Sequence, residues 1–114
     1  MNREFLDSVE DILDAMEKAE ILLKGVRYER FEADFRINYA VVRALEIIGE
    51  ASKRLPDELR ARYPQVPWKG MAGMRDRIIH GYDNVDYQII WDVVKKDIPR
   101  IKPHIQKILS DYKE

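Results

Sequence analysis

The chain has 114 residues, 36% of them charged and 46% apolar, with a formal net charge of −1. This composition is typical of one soluble globular domain and excludes a disordered chain. The absence of cysteine excludes disulfides, thiolate metal sites and cysteine nucleophiles, and it fits a reducing cytoplasm. No apolar run approaches the roughly 20 residues of a membrane span, and the N-terminus has no signal-peptide pattern. We therefore expect a single cytoplasmic domain over residues 1–114 with no membrane association.

The spacing of apolar residues predicts two long amphipathic helices in the first half of the chain. The first spans residues 2–24 with one apolar stripe and stops at Gly25. Residues 26–35 form a connection with a short helical turn, anchored to the bundle by Tyr28, Phe31 and Phe35. The second helix spans residues 35–55 and has two neighbouring stripes, so it packs on more than one side. Its solvent face carries Arg36, Arg43, Glu46, Glu50 and Lys53.

Gly49 lies in the interior of the second predicted helix. A glycine there costs about 1 kcal/mol in helix propensity relative to alanine. We expect this cost to be offset by the close approach of another backbone at that point.

Proline and glycine divide the next part of the sequence. Residues 56–63 form a short helix whose proline suits the first turn. Pro67 begins a helix that carries the chain towards Gly81, a residue suited to the left-handed end of a helix. Residues 83–84 favour a turn.

The last segment keeps helical spacing over residues 87–112, with Asp86 as its N-cap. The spacing continues through Pro99 and Pro103, which predicts one kinked helix or two nearly coaxial ones. No segment has a strong strand pattern. The predicted fold is therefore all-α, an up-and-down helical bundle.

Residues 74–82 combine groups suited to handling a phosphate. On an ideal helix, Arg75 projects from the middle of a broad apolar arc, so a carboxylate, a second subunit or a ligand phosphate must meet it. His80 lies at the fraying helix end, where Asp76, four residues earlier, can orient the imidazole and raise its basicity. Tyr82 adds a phenol. The alternative is structural: Arg75 pairs with a core carboxylate, His80 caps the helix, and Tyr82 only packs.

The spacing of Arg75, His80 and Tyr82 resembles the R-x4-H-x-Y signature of HepT-type toxins in the HEPN superfamily, where a polar residue, here Asp76, follows the arginine. Residues 45–51, 66–68 and 97–99 resemble further family landmarks in the same order. The resemblance covers nearly the whole chain. It implies a HEPN-like four-helix core with additional short helices, and the activity of an endoribonuclease.

Metal-independent RNA cleavage needs a base for the ribose 2′-hydroxyl and a cation for the phosphorane. We expect His80 to be the general acid/base, Arg75 to stabilise the transition state and Asp76 to orient the histidine. The products are a 2′,3′-cyclic phosphate and a 5′-hydroxyl. The sequence has no metal-ligand spacing, glycine-rich phosphate loop or Ser-His-Asp set, so we expect neither metal nor cofactor.

The near-neutral charge argues against a large electrostatic footprint on nucleic acid. RNA contact is therefore expected to be local, with Lys69 and Arg77 beside Arg75 as candidate phosphate ligands. The resemblance implies a homodimer with facing Arg and His motifs and a nucleotidyltransferase-fold antitoxin, as in type VII-like toxin–antitoxin pairs, with Tyr82 as the AMP acceptor. Two other classes remain open: a non-catalytic helical module that presents nucleotide or substrate to a partner nucleotidyltransferase, and a plain dimeric structural module.

Overall fold

Two 19-residue helices form the centre of the molecule in the computed structural model, which describes residues 4–113. Helix α1 spans Phe5–Leu23 and α3 spans Phe35–Lys53, and the two pack along each other. The predicted stripe of α1 is buried throughout: Phe5, Val9, Ile12, Met16, Ala19 and Leu23. Both helices are confirmed to within two residues at the ends that the structure describes, whereas the expected start at residue 2 lies outside the described residues. Gly25 follows α1 with a φ of +71°, as expected for a helix stop.

The connection between these helices contains the expected helical turn, α2, which spans Tyr28–Ala33. Phe31 anchors it, since its ring is fully buried and lies 5.6 Å from the ring of Trp91. The Asn38 side chain donates to the backbone oxygens of Phe31 and Glu32 and so caps the end of α2. The prediction that Phe35 is a further anchor is wrong: its ring is exposed, because it lies off the buried stripe of α3.

Three short helices follow α3: α4 spans Asp57–Arg62, α5 spans Trp68–Ala72 and α6 spans Met74–Ile78. Helices α5 and α6 pack on α3 at Gly49, as the sequence predicted. A Cβ atom at this glycine would lie 3.1 Å from the backbone oxygen of Met71. The missing side chain therefore lets the segment that carries the motif approach the centre of the bundle.

The C-terminal segment is helical from Tyr87 to Asp111, with one change of helix type. Helix α7 spans Tyr87–Asp92, a π-helical turn spans Val93–Asp97, and α8 spans Ile98–Asp111. The side chain of Asp86 accepts from the backbone N–H of Ile89, which confirms it as N-cap. Pro99 falls in the first turn of α8, where its missing N–H costs least. The change of helix type thus precedes Pro99, and Pro103 lies inside α8, so neither proline divides the segment.

The described residues confirm an all-α bundle, in which α8 packs on α1 and the π-helical turn contacts both. In this part of the chain the extended backbone pairing is one isolated bridge, between Ile79 and Val85. Every helix within residues 4–113 is too short or too polar to traverse a lipid bilayer. The bridge closes the loop that carries the last part of the motif.

Candidate active site

The motif is divided between a short helix and a hairpin-like loop, which corrects the prediction of one helix reaching Gly81. The backbone at Gly73 (φ −88°, ψ 11°) leaves the helical region and separates α5 from α6. Helix α6 then ends at Ile78, and Ile79 is extended. Arg75, Asp76 and Arg77 therefore lie on the helix, whereas His80 and Tyr82 lie in the loop that follows.

Backbone hydrogen bonds fix the loop that carries His80. The N–H of Asp86 donates to the oxygen of Ile78 at 2.8 Å, and the N–H of His80 donates to the oxygen of Asn84 at 2.7 Å. The turn predicted from residues 83–84 is present at the tip. Gly81 has a φ of +134°, so its glycine is required by the hairpin and not by a helix end.

Arg75 lies on the surface, which corrects its expected place in the middle of an apolar arc. The buried residues of α5 and α6, Trp68, Met71, Met74 and Ile78, keep helical spacing across Gly73, and Arg75 projects beside this buried face. The Arg75 side chain is 69% exposed, and its Nε lies 3.7 Å from Oε2 of Glu46 on α3. The expected partner of Arg75 was a carboxylate, a second subunit or a ligand phosphate, and within this chain it is the carboxylate of Glu46. The ion pair is long and leaves most of the guanidinium available to a phosphate.

Asp76 and His80 are both exposed, and no hydrogen bond or ion pair joins their side chains in the part of the chain that the structure describes. Their expected contact depended on a helix that continued through residue 80. The extended backbone at Ile79 removes that relation. The imidazole of His80 is thus open to solvent and to a substrate.

A cleft of about 460 Å³ lies between α3 and the loop, within the size range of small-molecule sites. Its walls are formed by one face of α3 and by the loop that ends at α7: Asn38, Tyr39, Val42, Glu46, Tyr82, Asp83, Asn84, Val85 and Tyr87. Glu46 connects the cleft to the guanidinium of Arg75, and Tyr82, which is 99% exposed, forms part of its rim. Tyr82 therefore lines the cleft directly, and Arg75 contacts one of its lining residues.

The basic residues expected to bind phosphate do not all share one surface. Nη1 of Arg77 lies 4.0 Å from Oδ2 of Asp97, in the π-helical turn, whereas Arg75 contacts α3. Asp97 also pairs with Arg100, at 3.6 Å. The two arginines of α6 thus point to different neighbours, as expected for residues about 200° apart on a helix. Lys69 is exposed on α5.

Two residues of the cleft are not apparent from the sequence pattern. The pattern places Glu46 on the solvent face of α3, whereas in the structure it is only 20% exposed beside Arg75. Tyr39 belongs to no motif, yet it is 71% exposed and lines the cleft. One sequence signal could have found it. Phe35 and Tyr39 are four residues apart and lie off the apolar stripe, so their spacing indicates an exposed aromatic pair.

Within residues 4–113 the structure shows no group of three or more His, Asp or Glu side chains placed to hold a metal ion. The described site contains one guanidinium, one imidazole, nearby carboxylates and a phenol. These groups can bind an anion, transfer a proton and accept a covalent modification.

Comparisons with known proteins support the family resemblance. Residues 12–108 match the family model described as HepT-like, "Ribonuclease HepT-like". A protein of Thermococcus cleftensis named "Probable ribonuclease HepT" is 44% identical over 108 residues, which cover 95% of this chain and 98% of that protein. A protein of Methanocaldococcus jannaschii named as an RNase is 46% identical over 101 residues, covering 89% of this chain and 84% of its own.

A protein of Caldanaerobacter subterraneus subsp. tengcongensis, also named as an RNase, is 45% identical over 105 residues, covering 92% and 94% of the two chains. No solved structure matches the chain. Because the family model covers most of the sequence and these relatives align over most of both lengths, the resemblance is confirmed: this chain belongs to the HepT-like ribonuclease family.

Proposed function

We propose that this chain is a metal-independent endoribonuclease and the toxin of a type VII-like HEPN/MNT toxin–antitoxin pair. Arg75 stabilises the transition state and His80 is the general acid/base, whereas Asp76, which makes no hydrogen bond with His80 among the described residues, is assigned no role in the reaction. Lys69 and Arg77 are candidates for outer contacts with RNA phosphates. Family membership supports the ribonuclease activity, and the site supports the assignment of roles.

The observation that carries this proposal is the exposure of the motif residues beside one cleft. Arg75 is exposed and contacts Glu46 of the cleft wall, Tyr82 lies on its rim, and His80 lies between them in sequence on a hydrogen-bonded loop. The guanidinium and the imidazole are both exposed and therefore accessible to RNA, and the proposal is that they act on the same phosphate.

The reaction follows from these groups. His80, as a neutral imidazole, takes the proton of the ribose 2′-hydroxyl, and the 2′-oxygen attacks the adjacent phosphorus. Arg75 donates hydrogen bonds to the non-bridging oxygens as negative charge develops on them. The bond from phosphorus to the 5′-oxygen then breaks, and an imidazolium protonates the leaving oxygen. The products are a 2′,3′-cyclic phosphate and a 5′-hydroxyl.

A homodimer would complete the site, because each chain supplies one exposed imidazole of this motif, whereas the reaction needs a base and an acid. Facing motifs would place the partner subunit's histidine on the opposite side of the phosphate. The antitoxin proposed for the pair is a cytoplasmic nucleotidyltransferase-fold protein, and Tyr82 is the proposed acceptor of AMP. The 99% exposure of Tyr82 supports this role, since a modifying enzyme needs access to the phenol.

The direct test is cleavage of single-stranded RNA in the presence of EDTA by purified chain and matched variants. Arg75→Ala should lower kcat by roughly 100- to 1000-fold, and His80→Ala by roughly 100- to 10,000-fold. His104→Ala is the control, because His104 is the other histidine and lies on α8, outside the motif. Full cleavage by folded Arg75→Ala or His80→Ala protein would refute the proposal, and RNA left intact by wild-type protein that still binds a nucleotidyltransferase would identify the non-catalytic module.

Tyr82 and the dimer have separate tests. Mass spectrometry of protein co-expressed with its adjacent nucleotidyltransferase should show AMP adducts that Tyr82→Phe abolishes, while adducts on the variant would place the acceptor elsewhere. Sedimentation at micromolar concentration should show a dimer. A monomer that cleaves RNA at the full rate would remove the facing-motif arrangement.

A further inference from the structure

The cleft beside the motif has an aromatic wall that the proposed reaction does not use. The rings of Phe35 and Tyr39 project from α3 with centroids 5.9 Å apart, and both are exposed. Large exposed apolar side chains in the described part of the chain are Ile21, Phe35, Tyr39 and Tyr82. Two of the four, Tyr39 and Tyr82, line the same cleft. Exposed aromatic faces next to a phosphate site are the usual platform on which unpaired bases stack.

The cleft wall also holds a hydrogen-bond acceptor without a donor. Asn38 is 97% buried, and its Nδ2 donates to the backbone oxygens of Phe31 and Glu32, which fixes the orientation of the amide. Its Oδ1 is buried and has no hydrogen-bond partner among residues 4–113. A buried acceptor left unpaired is unfavourable, and this one belongs to a residue that lines the cleft.

The charges of the cleft select the part of RNA that can enter it. Among the described residues its lining includes the carboxylates of Glu46 and Asp83 and no lysine or arginine. A phosphate inside the cleft would be repelled, whereas a neutral base with N–H groups on its edge would find acceptors there. Arg75, which contacts Glu46 from outside the cleft lining, is placed to hold the phosphate at the rim.

We propose that the cleft binds an unpaired nucleobase next to the scissile phosphate, with the ring of Tyr39 as its stacking surface. This inference rests on the proposed ribonuclease function and names its substrate class: single-stranded RNA, or a loop whose bases are splayed out. A base in a duplex is paired and stacked and cannot enter the cleft unless it is flipped out.

The first test is the catalytic rate on one RNA sequence presented as a single strand and as a duplex. Wild-type protein should cleave the single strand much faster. Tyr39→Ala should raise KM for the single strand roughly ten-fold or more with kcat little changed, because it removes stacking and not the reacting groups. Tyr39→Phe keeps the ring and should restore the wild-type KM. Ile21→Ala removes another exposed apolar side chain, outside the cleft, and should leave both constants unchanged.

The second test measures binding without cleavage. In a His80→Ala background, a short randomised RNA carrying a fluorescent purine analogue should be quenched on binding, and Tyr39→Ala should weaken both the quenching and the affinity. The exposed position of Tyr39 means that its truncation leaves the core intact, which circular dichroism verifies.

The outcomes separate this inference from the proposed function. An unchanged KM for Tyr39→Ala, with cleavage still abolished by His80→Ala, would overturn the base cleft and leave the ribonuclease assignment standing. Equal cleavage of duplex and single strand by wild-type protein would also overturn it. Loss of dimer in sedimentation of Tyr39→Ala would assign the ring to a subunit contact and refute the stacking role. Cleavage that survives both Arg75→Ala and His80→Ala would overturn the proposed function itself.

Discussion

Gly49→Ala tests whether the packing of α3 on α5 and α6 sets the position of Arg75. The added Cβ would lie 3.1 Å from the backbone oxygen of Met71 and 3.4 Å from Cβ of Met74. Neither atom can move by a side-chain rotation, and both methionines are buried. The segment must therefore shift by a few tenths of an ångström. Overpacking of this kind costs about 1–3 kcal/mol, and alanine returns about 1 kcal/mol of helix propensity, so we expect a net loss of about 1 kcal/mol.

Urea unfolding and RNA cleavage measure the two consequences of this substitution. The control is Gly70→Ala on α5, where an added Cβ meets no atom within 4 Å and the helix gains up to about 1 kcal/mol. Gly49→Ala should unfold at lower urea and cleave more slowly, because small displacements of a catalytic group are costly, up to about 100-fold per ångström. If Gly49→Ala stabilised the protein as Gly70→Ala does and kept full activity, the close approach would not constrain the site.

Three further substitutions probe the loop, the ion pair and the pH dependence. Gly81→Ala, at a φ of +134°, should strain the loop by about 1–3 kcal/mol and slow cleavage, whereas Gly25→Ala, at a φ of +71° after α1, should lower the melting temperature and leave kcat unchanged. Glu46→Gln removes an acidic neighbour of the guanidinium, so KM for RNA should fall while kcat changes by less than about five-fold, since exposed ion pairs contribute about 0–1 kcal/mol. Burial and the hydrogen bond to Asp111 raise the pKa of Tyr63 to about 12, and the same bond holds the pKa of Asp111 below its usual value. The Tyr63 contribution to stability is present below pH 10 and is lost as pH rises through about 12, and the Asp111 contribution is lost as pH falls through the depressed pKa. Tyr63→Phe should therefore lower the melting temperature at neutral pH, with a difference that shrinks at both extremes; a constant difference across pH would contradict this account.

The periodicity of apolar residues was sufficient to predict the helices, because burial of one face determines where a helix packs. The apolar stripe of α1 and the two stripes of α3 predict that both helices pack in the core, and these residues are largely buried in the structure. Gly49 was equally informative, since an interior glycine in a strong helix needs a compensating contact. In both cases a residue pattern within one helix indicated how that helix packs against its neighbours.

The geometry of the site could not be predicted in the same way, because it depends on where a helix stops. Gly73 is compatible with a continuous helix at a cost of about 1 kcal/mol, and nothing nearby in sequence indicates the break. The sequence also does not mark the end of α6 at Ile78, which places His80 in a loop and not on the helix surface beside Asp76. The pairing of Ile79 with Val85 depends on a turn between them and has no helical signature.

The end of α6 at Ile78 has a functional consequence within the proposed mechanism. Arg75 is held by α6 and Glu46, whereas His80 is held by the backbone bonds of the loop, so the cation and the base are positioned by separate elements. The carboxylates of Glu46 and Asp83 keep the neighbouring cleft acidic, which agrees with a chain whose net charge is −1. Such a site cannot draw RNA in by a broad positive surface. Affinity must therefore come from a few phosphate contacts together with base contacts. In the proposed mechanism, Arg75 binds the phosphate and the cleft lined by Tyr39 binds the base.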